Sequence, residues 1–233
     1  MRNVAETAVL DALQKHWVNK RPQARWILAV SGGVDSMVML EGMARLCGSP
    51  SERAGVIVLH VNHCLRGPES DGDEVLVLSR ARELGFQALS VRLEWAAGEK
   101  PSQDLSRKKR EAVFHSLSQG SGDRILLAHH LNDQAETVLF RLIRGTGARG
   151  LRGMLPVAGK KIRPFLGLEK SILQEAAEFW GIRWREDSSN QNPLAYERNW
   201  IRTLFPVIES RRPGFPQKLA ALAEEARHWP LDS

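Results

Sequence analysis

The feature that most constrains the fold is a repeated alternation of strand-like and helix-like segments. Four short segments have the pattern of buried or half-buried strands: residues 26–30, 55–61, 88–95 and 125–128. Each is followed by a segment whose apolar residues have helical spacing, at 34–46, 70–84, 102–117 and 133–144. Strands that alternate with helices form parallel sheets with right-handed crossovers. The pattern predicts an α/β fold with a doubly wound, mostly parallel sheet and helices on both faces.

Other segments extend this core. Further helices are predicted at 7–17, 168–180, 199–208 and 215–229, and a short fifth strand at 161–165. Residues 145–159 are rich in Gly and Arg, which predicts a loop. Ser70 and Asp73 have capping-box spacing at a predicted helix start. We expect a main domain over residues 1–210 and a small helical C-terminal appendage over 211–233.

Composition excludes several classes of protein. Hydrophobic residues make up 42% of the 233 residues and charged residues 26%, as in folded globular proteins. No apolar run could span a membrane as a helix, and the first residues lack the apolar core of a secretory signal. Two cysteines cannot form a disulfide framework, so we expect a cytoplasmic location without a membrane partner. The net charge of +6 allows a polyanionic partner without requiring one.

The segment after the first strand, Ser31-Gly-Gly-Val-Asp-Ser36, is the strongest candidate for a ligand site. Ligands bind at the carboxyl ends of strands in open α/β sheets. Gly32 and Gly33 let backbone N–H groups approach an anion, the serines add hydroxyls, and the helix beginning at Val34 adds positive potential. Asp35 would repel phosphate unless Mg²⁺ lies between them. The alternative is a tight turn with the serines and Asp35 as helix caps.

Polar residues also follow the second strand, in the stretch His60-Val-Asn-His-Cys-Leu-Arg-Gly67. The end of this strand lies beside the end of the first in a doubly wound sheet, so His60 and Arg66 are expected to face a nucleotide. The alternative is a polar strand end with a solvated loop. A zinc site is a further alternative, although the spacing fits no standard signature; its candidate ligands are His60, His63, Cys64, His129 and His130.

The stretch after the fourth strand, residues 128–137, carries histidines and carboxylates. His129 is a candidate nucleotide contact. Asp133 and Glu136 are three residues apart and therefore share a helical face, where two carboxylates could bind a cationic amine. The same spacing fits a capping box with Asp133 as N-cap, and the two interpretations are compatible.

A cationic loop follows this helix. Residues 141–153 contain four arginines and four glycines, a composition suited to phosphate or RNA backbone contact. We take Arg144, Arg149 and Arg152 as candidate RNA contacts, together with Arg198. The alternative is an ordinary solvated loop.

These motifs resemble those of a known family. The string SGGVDS resembles the PP-loop of the N-type ATP pyrophosphatases, which cleave ATP to AMP and pyrophosphate. Four further segments, at 60–67, 128–154, 162–166 and 184–202, are similar to the tRNA(Ile)-lysidine synthase family. The resemblance covers almost the whole chain, and residues 128–154 are its most specific part. It implies an adenine nucleotide alpha hydrolase-like PP-loop fold.

The resemblance also implies a reaction. In that family, ATP adenylates the C2 oxygen of the wobble cytidine in an isoleucine tRNA with a CAU anticodon, and pyrophosphate leaves. The ε-amine of free L-lysine then attacks C2 and displaces AMP. This chain would be a ligase that uses ATP and Mg²⁺, with this tRNA and L-lysine as partners. The group that deprotonates lysine and the oligomeric state, a homodimer included, stay open.

Residue roles follow from that implied reaction. The nucleotide and its Mg²⁺ would be held by Ser31, Gly32, Gly33, Val34, Asp35 and Ser36, with His60, Arg66 and His129 nearby. Asp133 and Glu136 would bind the lysine ammonium. Arg110 and Arg202 would stabilise the charge that develops on the phosphates.

Some positions depart from the family pattern. Asn132 stands where an Asp is frequent, and Glu111 stands where an aromatic residue is common. Many members carry further C-terminal domains that grip the tRNA, so we expect either a compact natural form or an excised catalytic domain. Two rival functions stay open: another PP-loop enzyme such as a tRNA thiolation enzyme, and a non-catalytic nucleotide- or RNA-binding module. The absence of a CxxC pair argues against the sulfur chemistry of the first rival.

Overall fold

A computed structural model of the chain describes residues 3–18, 23–96, 98–99, 101–186 and 197–230. The strands in this part form one sheet in the order β3-β2-β1-β4-β6-β5. Their bounds are β1 Trp26–Ala29, β2 Val56–Asn62, β3 Gln87–Arg92, β4 Arg124–Leu126, β5 Val157–Ala158 and β6 Lys161–Ile162. All neighbouring pairs are parallel except β5 with β6. The predicted doubly wound, mostly parallel sheet is confirmed.

Helices cover both faces of the sheet. Their bounds are α1 Val4–Trp17, α2 Val34–Leu46, α3 Pro50–Ala54, α4 Pro68–Glu83, α5 Gln103–Leu117, α6 Leu131–Ile143, α7 Ala148–Leu151, α8 Lys170–Phe179, α9 Glu197–Glu209 and α10 Phe215–Ala226. Side chains from α1, α2, α4 and α8 form the larger apolar cluster with one face, to which β1 contributes Trp26 and Leu28. Ile27 points the opposite way and packs with Phe114 of α5 on the second face. This alternation follows from the two-residue period of a strand.

A third apolar cluster joins the C-terminal helices to α6. Ala135 and Val138 of α6 pack against Leu219 and Ala223 of α10, with Phe205 of α9 at the edge. Helix α6 therefore packs against both of the last two helices. The expected boundary between residues 210 and 211 stays a prediction. No helix among the described residues is long and apolar enough to cross a membrane.

The structure corrects several predicted bounds. The region 145–159, expected to be a loop, contains α7 and β5. Strand β6 ends at Ile162 instead of 165, since Pro164 has no N–H group to donate to a ladder. Helix α4 begins at Pro68, after Gly67 as N-cap, and not at a Ser70 cap. A proline at the first helical position is favoured because its missing N–H would have had no intrahelical partner.

Candidate active site

The sheet places the candidate site at its topological switch point. Strand β1 pairs with β2 on one side and β4 on the other, and the chain reverses its direction of winding between them. A crevice forms at the carboxyl ends of such a strand pair. The loop at residues 31–33 follows β1, and residues 127–130 follow β4. Two sequence-predicted motifs are therefore neighbours.

The glycine loop has the geometry of an anion site. Gly32 has φ +98°, a conformation that side chains disfavour, and Gly33 is the N-cap of α2 without a side-chain capping bond. The first N–H groups of α2 are therefore left for a ligand. Ser36 is buried and braces the loop: its hydroxyl donates to the carbonyl of Gly33 at 2.9 Å and accepts from the N–H of Ser31 at 3.1 Å. Val34 is buried, and Ser31 is exposed.

Asp35 joins the loop to the end of β4. Its Oδ2 lies 3.5 Å from Nε2 of His130, whose side chain is 7% exposed. Its Oδ1 is buried and has no hydrogen-bond partner among the described residues. Burial lowers the pKa of His130, but the bond to Asp35 and the charges of Asp133 and Asp35 outweigh it and leave the pKa raised. Asp35 thus keeps one oxygen available.

That oxygen is the test of whether a magnesium ion fits. Mg²⁺ is held by one or two protein carboxylates, with substrate phosphates and waters as its other ligands. Among the described residues, no three His, Cys, Asp or Glu side chains cluster to hold a metal by themselves. One carboxylate with an unpartnered buried oxygen, beside a phosphate loop, fits an ion carried in with a nucleotide. Asp35 is the residue that would hold it.

Helix α6 begins two residues earlier than expected, which changes the role of Asp133. The N-cap is His130: its Nδ1 accepts from the N–H of Asp133 at 3.3 Å, and Oδ2 of Asp133 accepts from the N–H of His130 at 3.0 Å. The interpretation of Asp133 as the N-cap is wrong, because Asp133 is the third helical residue of the capping box. The departure at Asn132 also has a local purpose, since its Oδ1 accepts from the N–H of Lys170 at the start of α8.

Glu136 and Arg202, both predicted site residues, form an ion pair between α6 and α9. Nε of Arg202 donates to Oε1 of Glu136 at 2.8 Å. Burial raises the pKa of the Glu136 carboxyl; the bond from Arg202 opposes this, and the net shift is upward. Glu136 lies about one helical turn beyond Asp133 on α6, and Arg202 reaches it from α9.

His129 is held as a neutral ring. Nε of the buried Arg163 donates to Nδ1 of His129 at 3.2 Å. Burial lowers the pKa of His129, the charge of Asp133 opposes this, and the charges of Arg163 and Arg110 lower it further, to about 4. Arg110 on α5 therefore lies close enough for its charge to act on His129. The partner Arg163 was missed by sequence reasoning, although it lies in the quoted segment at 162–166.

His60 links the end of β2 to the end of β1. It is buried, and its Nδ1 lies 2.9 Å from the carbonyl oxygen of Val30, the last residue before the glycine loop. Burial lowers the pKa of His60. Arg66 lies in the loop after β2 and is bound to Asp73 of α4, which also binds Arg185. Asp73 was interpreted from the sequence only as part of a capping box, and Arg185 was not predicted as a site residue, because its partner Asp73 is distant along the chain.

The predicted RNA-contacting arginines that the structure describes have different surroundings. Arg144 binds Glu197 at 2.5 Å and lies over the Phe140 ring, 4.3 Å from its centroid. Arg149 is exposed on α7. The side chain of Arg198 lies outside the described part of the chain.

The side chain of Arg152 binds backbone groups at the C-terminal end of α10. Its Nε and Nη2 donate to the carbonyl oxygens of Ala226 and Trp229 at 3.0 and 2.6 Å, at the end of α10. Cations at a helix C-terminus satisfy carbonyl groups that have no helical partner. A role of Arg152 in RNA binding stays a prediction.

Curated relatives share most of this chain. A tRNA(Ile)-lysidine synthase of Geobacter sulfurreducens is 38% identical over 215 residues, 88% of this chain and 44% of the relative. Those of Pseudomonas aeruginosa and Thermus thermophilus are each 37% identical, over 96% and 92% of this chain and 49% and 42% of the relatives. The chain therefore spans about half the length of the relatives that it matches. The resemblance drawn from the motifs is confirmed.

A solved structure and a family match agree on the fold. The U34-tRNA thiolase NcsA of Methanococcus maripaludis superposes with a TM-score of 0.75 over 98% of this chain and 80% of that chain, at 18% identity. That identity shows a likeness of fold alone. The PP-loop domain family matches residues 5–208. The chain belongs to the PP-loop domain family.

Proposed function

We propose that this chain is the catalytic part of a tRNA(Ile)-lysidine ligase. It would use ATP to adenylate the C2 oxygen of the wobble cytidine in the CAU isoleucine tRNA, and then join L-lysine to the C2 carbon. The observation that carries this proposal is that Asp35 contacts His130, the N-cap of α6, at the switch point of the sheet. Asp133 and Glu136 lie in the first two turns of the same helix. A phosphate loop and an acidic amine site then share one crevice. The names of the relatives support the same reaction.

The first step needs the phosphates fixed and the leaving charge compensated. The N–H groups at residues 32–35 would bind the phosphate oxygens, since no side chain caps this helix end. Mg²⁺, held by Asp35, would supply charge neutralisation of the phosphates. Arg110 and Arg202 would supply cationic partners for charge that grows on the nucleotide. The cytidine C2 oxygen forms a bond to the α-phosphorus, and the bond to pyrophosphate breaks.

The second step needs a lysine held with its ε-amine near C2. Asp133 and Glu136 would bind ammonium groups of the amino acid beside the first turns of α6. The raised pKa of Glu136 makes it a better proton acceptor than an ordinary carboxylate, which suits a group close to an amine that must lose a proton. The amine forms a bond to C2, and AMP leaves with the oxygen.

Contacts to the tRNA are assigned to the arginines near α6 and α9. Arg144, Arg149 and Arg198 lie on segments that follow the acidic pair in sequence, and phosphate contacts position a nucleic acid without reading its bases.

Incorporation of labelled L-lysine tests the proposal. The chain is incubated with ATP, Mg²⁺ and either the CAU isoleucine tRNA or the CAU methionine tRNA, and label in the RNA is counted. We expect label in the isoleucine tRNA, dependent on ATP. Nucleotide binding without pyrophosphate release would favour the binding-module rival. Repeated turnover of ATP to pyrophosphate with the tRNA, without any lysine label in the RNA when lysine is present, would favour another PP-loop chemistry.

A further inference from the structure

A charged cluster lies against the glycine loop. Its centre is Asp73 on α4, whose side chain is 9% exposed. Oδ2 of Asp73 accepts from Nη2 of Arg66 at 2.7 Å, and Oδ1 lies 2.8 Å from Nε of Arg185. One buried carboxylate therefore fixes two guanidinium groups that come from separate parts of the chain.

The cluster contacts the loop directly. A Cβ atom added to Gly32 would lie 3.5 Å from Cβ of Asp73, an ordinary van der Waals distance, so the loop lies directly against this residue of α4. The backbone N–H of Arg185 also donates to the carbonyl oxygen of Gly32 at 3.0 Å. Arg66 and Arg185 are thus held at the edge of the loop.

The charge at this edge is positive where solvent reaches it. Arg66 and Arg185 are 26% and 45% exposed, whereas Asp73 is buried between them. Glu69 approaches Arg66 at 3.6 Å, but its side chain is half exposed, so solvent screens that pair. Guanidinium groups bind phosphate oxygens through paired N–H donors, and their binding strengthens when their geometry is fixed in advance.

We propose that Asp73 is a positioning residue that orients Arg66 and Arg185 toward the pyrophosphate end of ATP. This rests on the proposed function for the identity of the nucleotide. The arginines would bind the β- and γ-phosphates, which become the leaving pyrophosphate, and would not touch the AMP portion. Arg185 therefore joins the phosphate-binding residues, and the segment that carries it closes one side of the loop.

Equilibrium binding tests the proposal without the ligation reaction. Affinities of the whole chain for inorganic pyrophosphate, ATP and AMP, each with Mg²⁺, are measured for the wild type and for Arg185→Met and Arg185→Lys. We expect Arg185→Met to weaken pyrophosphate and ATP about tenfold and to leave AMP unchanged, with partial recovery in Arg185→Lys. Unchanged pyrophosphate affinity in Arg185→Met, or an equal loss for AMP, overturns the inference.

The matched control is Arg25→Met. Arg25 is 47% exposed and pairs with the buried Asp123 at 2.9 Å, but at the far end of the sheet. We expect no change in affinity for any of the three ligands. Asp73→Asn is expected to weaken pyrophosphate at least as much as Arg185→Met, because both guanidinium groups lose their anchor. If Asp73→Asn does not fold, the Arg185 variants decide.

The two proposals fail separately. A wild-type chain that forms no lysidine, while Arg185→Met loses pyrophosphate affinity, contradicts the ligase and supports the positioning role. A wild-type chain that forms lysidine, while Arg185→Met binds pyrophosphate normally, contradicts the positioning role alone.

Discussion

Two aspartates at opposite ends of the same strand pair have opposite surroundings. Asp123 precedes β4 and is 3% exposed; its oxygens accept from the N–H of Arg25 at 3.0 Å, from the Arg25 guanidinium at 2.9 Å and from the N–H of Gly120 at 2.9 Å. Asp35 follows β1 and is 25% exposed, with one distant contact to His130 and one buried oxygen without a partner. Both sit beside β1 and β4.

The difference separates carboxylates that hold the fold from carboxylates held ready for a ligand. A buried polar atom without a partner costs folding free energy, so it persists where a ligand supplies the missing bond. Both carboxylate oxygens of Asp123 accept hydrogen bonds, and this residue links the beginnings of β1 and β4. Asp35 has one buried oxygen without a hydrogen-bond partner among the described residues. It lies at the opposite end of the same two strands, where nucleotides bind in such sheets.

Asp35→Asn is the substitution with the largest expected effect on activity. The amide keeps the shape and removes the charge, so pyrophosphate release should fall by roughly 10²–10³-fold. The free energy of unfolding should change by only about 0.5 kcal/mol, because few bonds are lost. Pyrophosphate release and thermal unfolding are measured on the same sample. Normal turnover would remove Asp35 from the proposed metal site.

Asp123→Asn should show the reverse. The variant loses charge-assisted bonds from Arg25 and should be destabilised by about 2 kcal/mol, with unchanged affinity for ATP. Burial raises the pKa of Asp123, but the bonds from Arg25 and Gly120 outweigh it, and the pKa lies below its ordinary value of 3.8. Its contribution is therefore full above pH 3.8 and is lost as the pH falls through the lower folded value.

Denaturant titrations at several pH values check this sign. The difference between wild type and Asp123→Asn should be constant near neutral pH and should shrink only in strong acid. If the stability difference between the two proteins grew on acidification, it would contradict the conclusion that hydrogen bonds lower the pKa of Asp123.

Glu136→Gln should affect lysine more than ATP. We expect the KM for lysine to rise about tenfold, the usual size for one charged contact, with the KM for ATP unchanged. Burial raises the pKa of Glu136 above its ordinary value of 4.5, so this carboxylate becomes protonated at a higher pH than an exposed Glu. As the pH is lowered, the KM of the wild type for lysine should therefore begin to rise earlier than an exposed Glu would cause. Initial rates at varied lysine and pH measure both effects. An unchanged lysine KM would leave Glu136 as the partner of Arg202 alone.

Cys64→Gly should give the smallest effect, and in the opposite direction. Cys64 has φ +56°, and its N–H donates to Oδ1 of Asn62 at 2.8 Å in the loop after β2. The left-handed conformation costs a non-glycine residue about 1–2 kcal/mol, part of which is offset by the greater chain entropy of glycine. The net gain should be about 0.5 kcal/mol, or roughly 1–2 °C in Tm. Cys64→Ala, which keeps the strain, is the control and should show no gain.

Local patterns predicted more of this molecule than distant contacts did. The alternation of apolar strands with amphipathic helices was sufficient to predict the parallel strands β1 to β4, because each element carries its own period. The loop at 31–36 was also predictable, since its glycines and its position after a buried strand are local. The short elements α7 and β5 lie in a segment whose Gly and Arg content predicts a loop, and so they were missed.

The missing parts of the site depend on tertiary pairing. Ser70 and Asp73 were interpreted as a capping box, but the helix begins at Pro68, and Asp73 binds Arg66 and Arg185 instead. Asp133 was interpreted as an N-cap, but His130 takes that position. Spacing along the chain shows which residues share a helical face, and it does not show which distant side chain that face meets. The roles assigned to the predicted site residues stay predictions until the variants are measured.

The strand order also fixes when the crevice can exist during synthesis. Strand β1 must pair with β4, and the bond from Arg25 to Asp123 spans 98 residues of chain. Closing so long a loop costs entropy before any contact compensates for it, and distant pairings form slowly. A growing chain that has emerged only as far as β3 already contains the Ser31–Ser36 segment but has no His130 beside Asp35. The complete arrangement, with His130 beside Asp35, can therefore form only after β4 and the start of α6 have been synthesised.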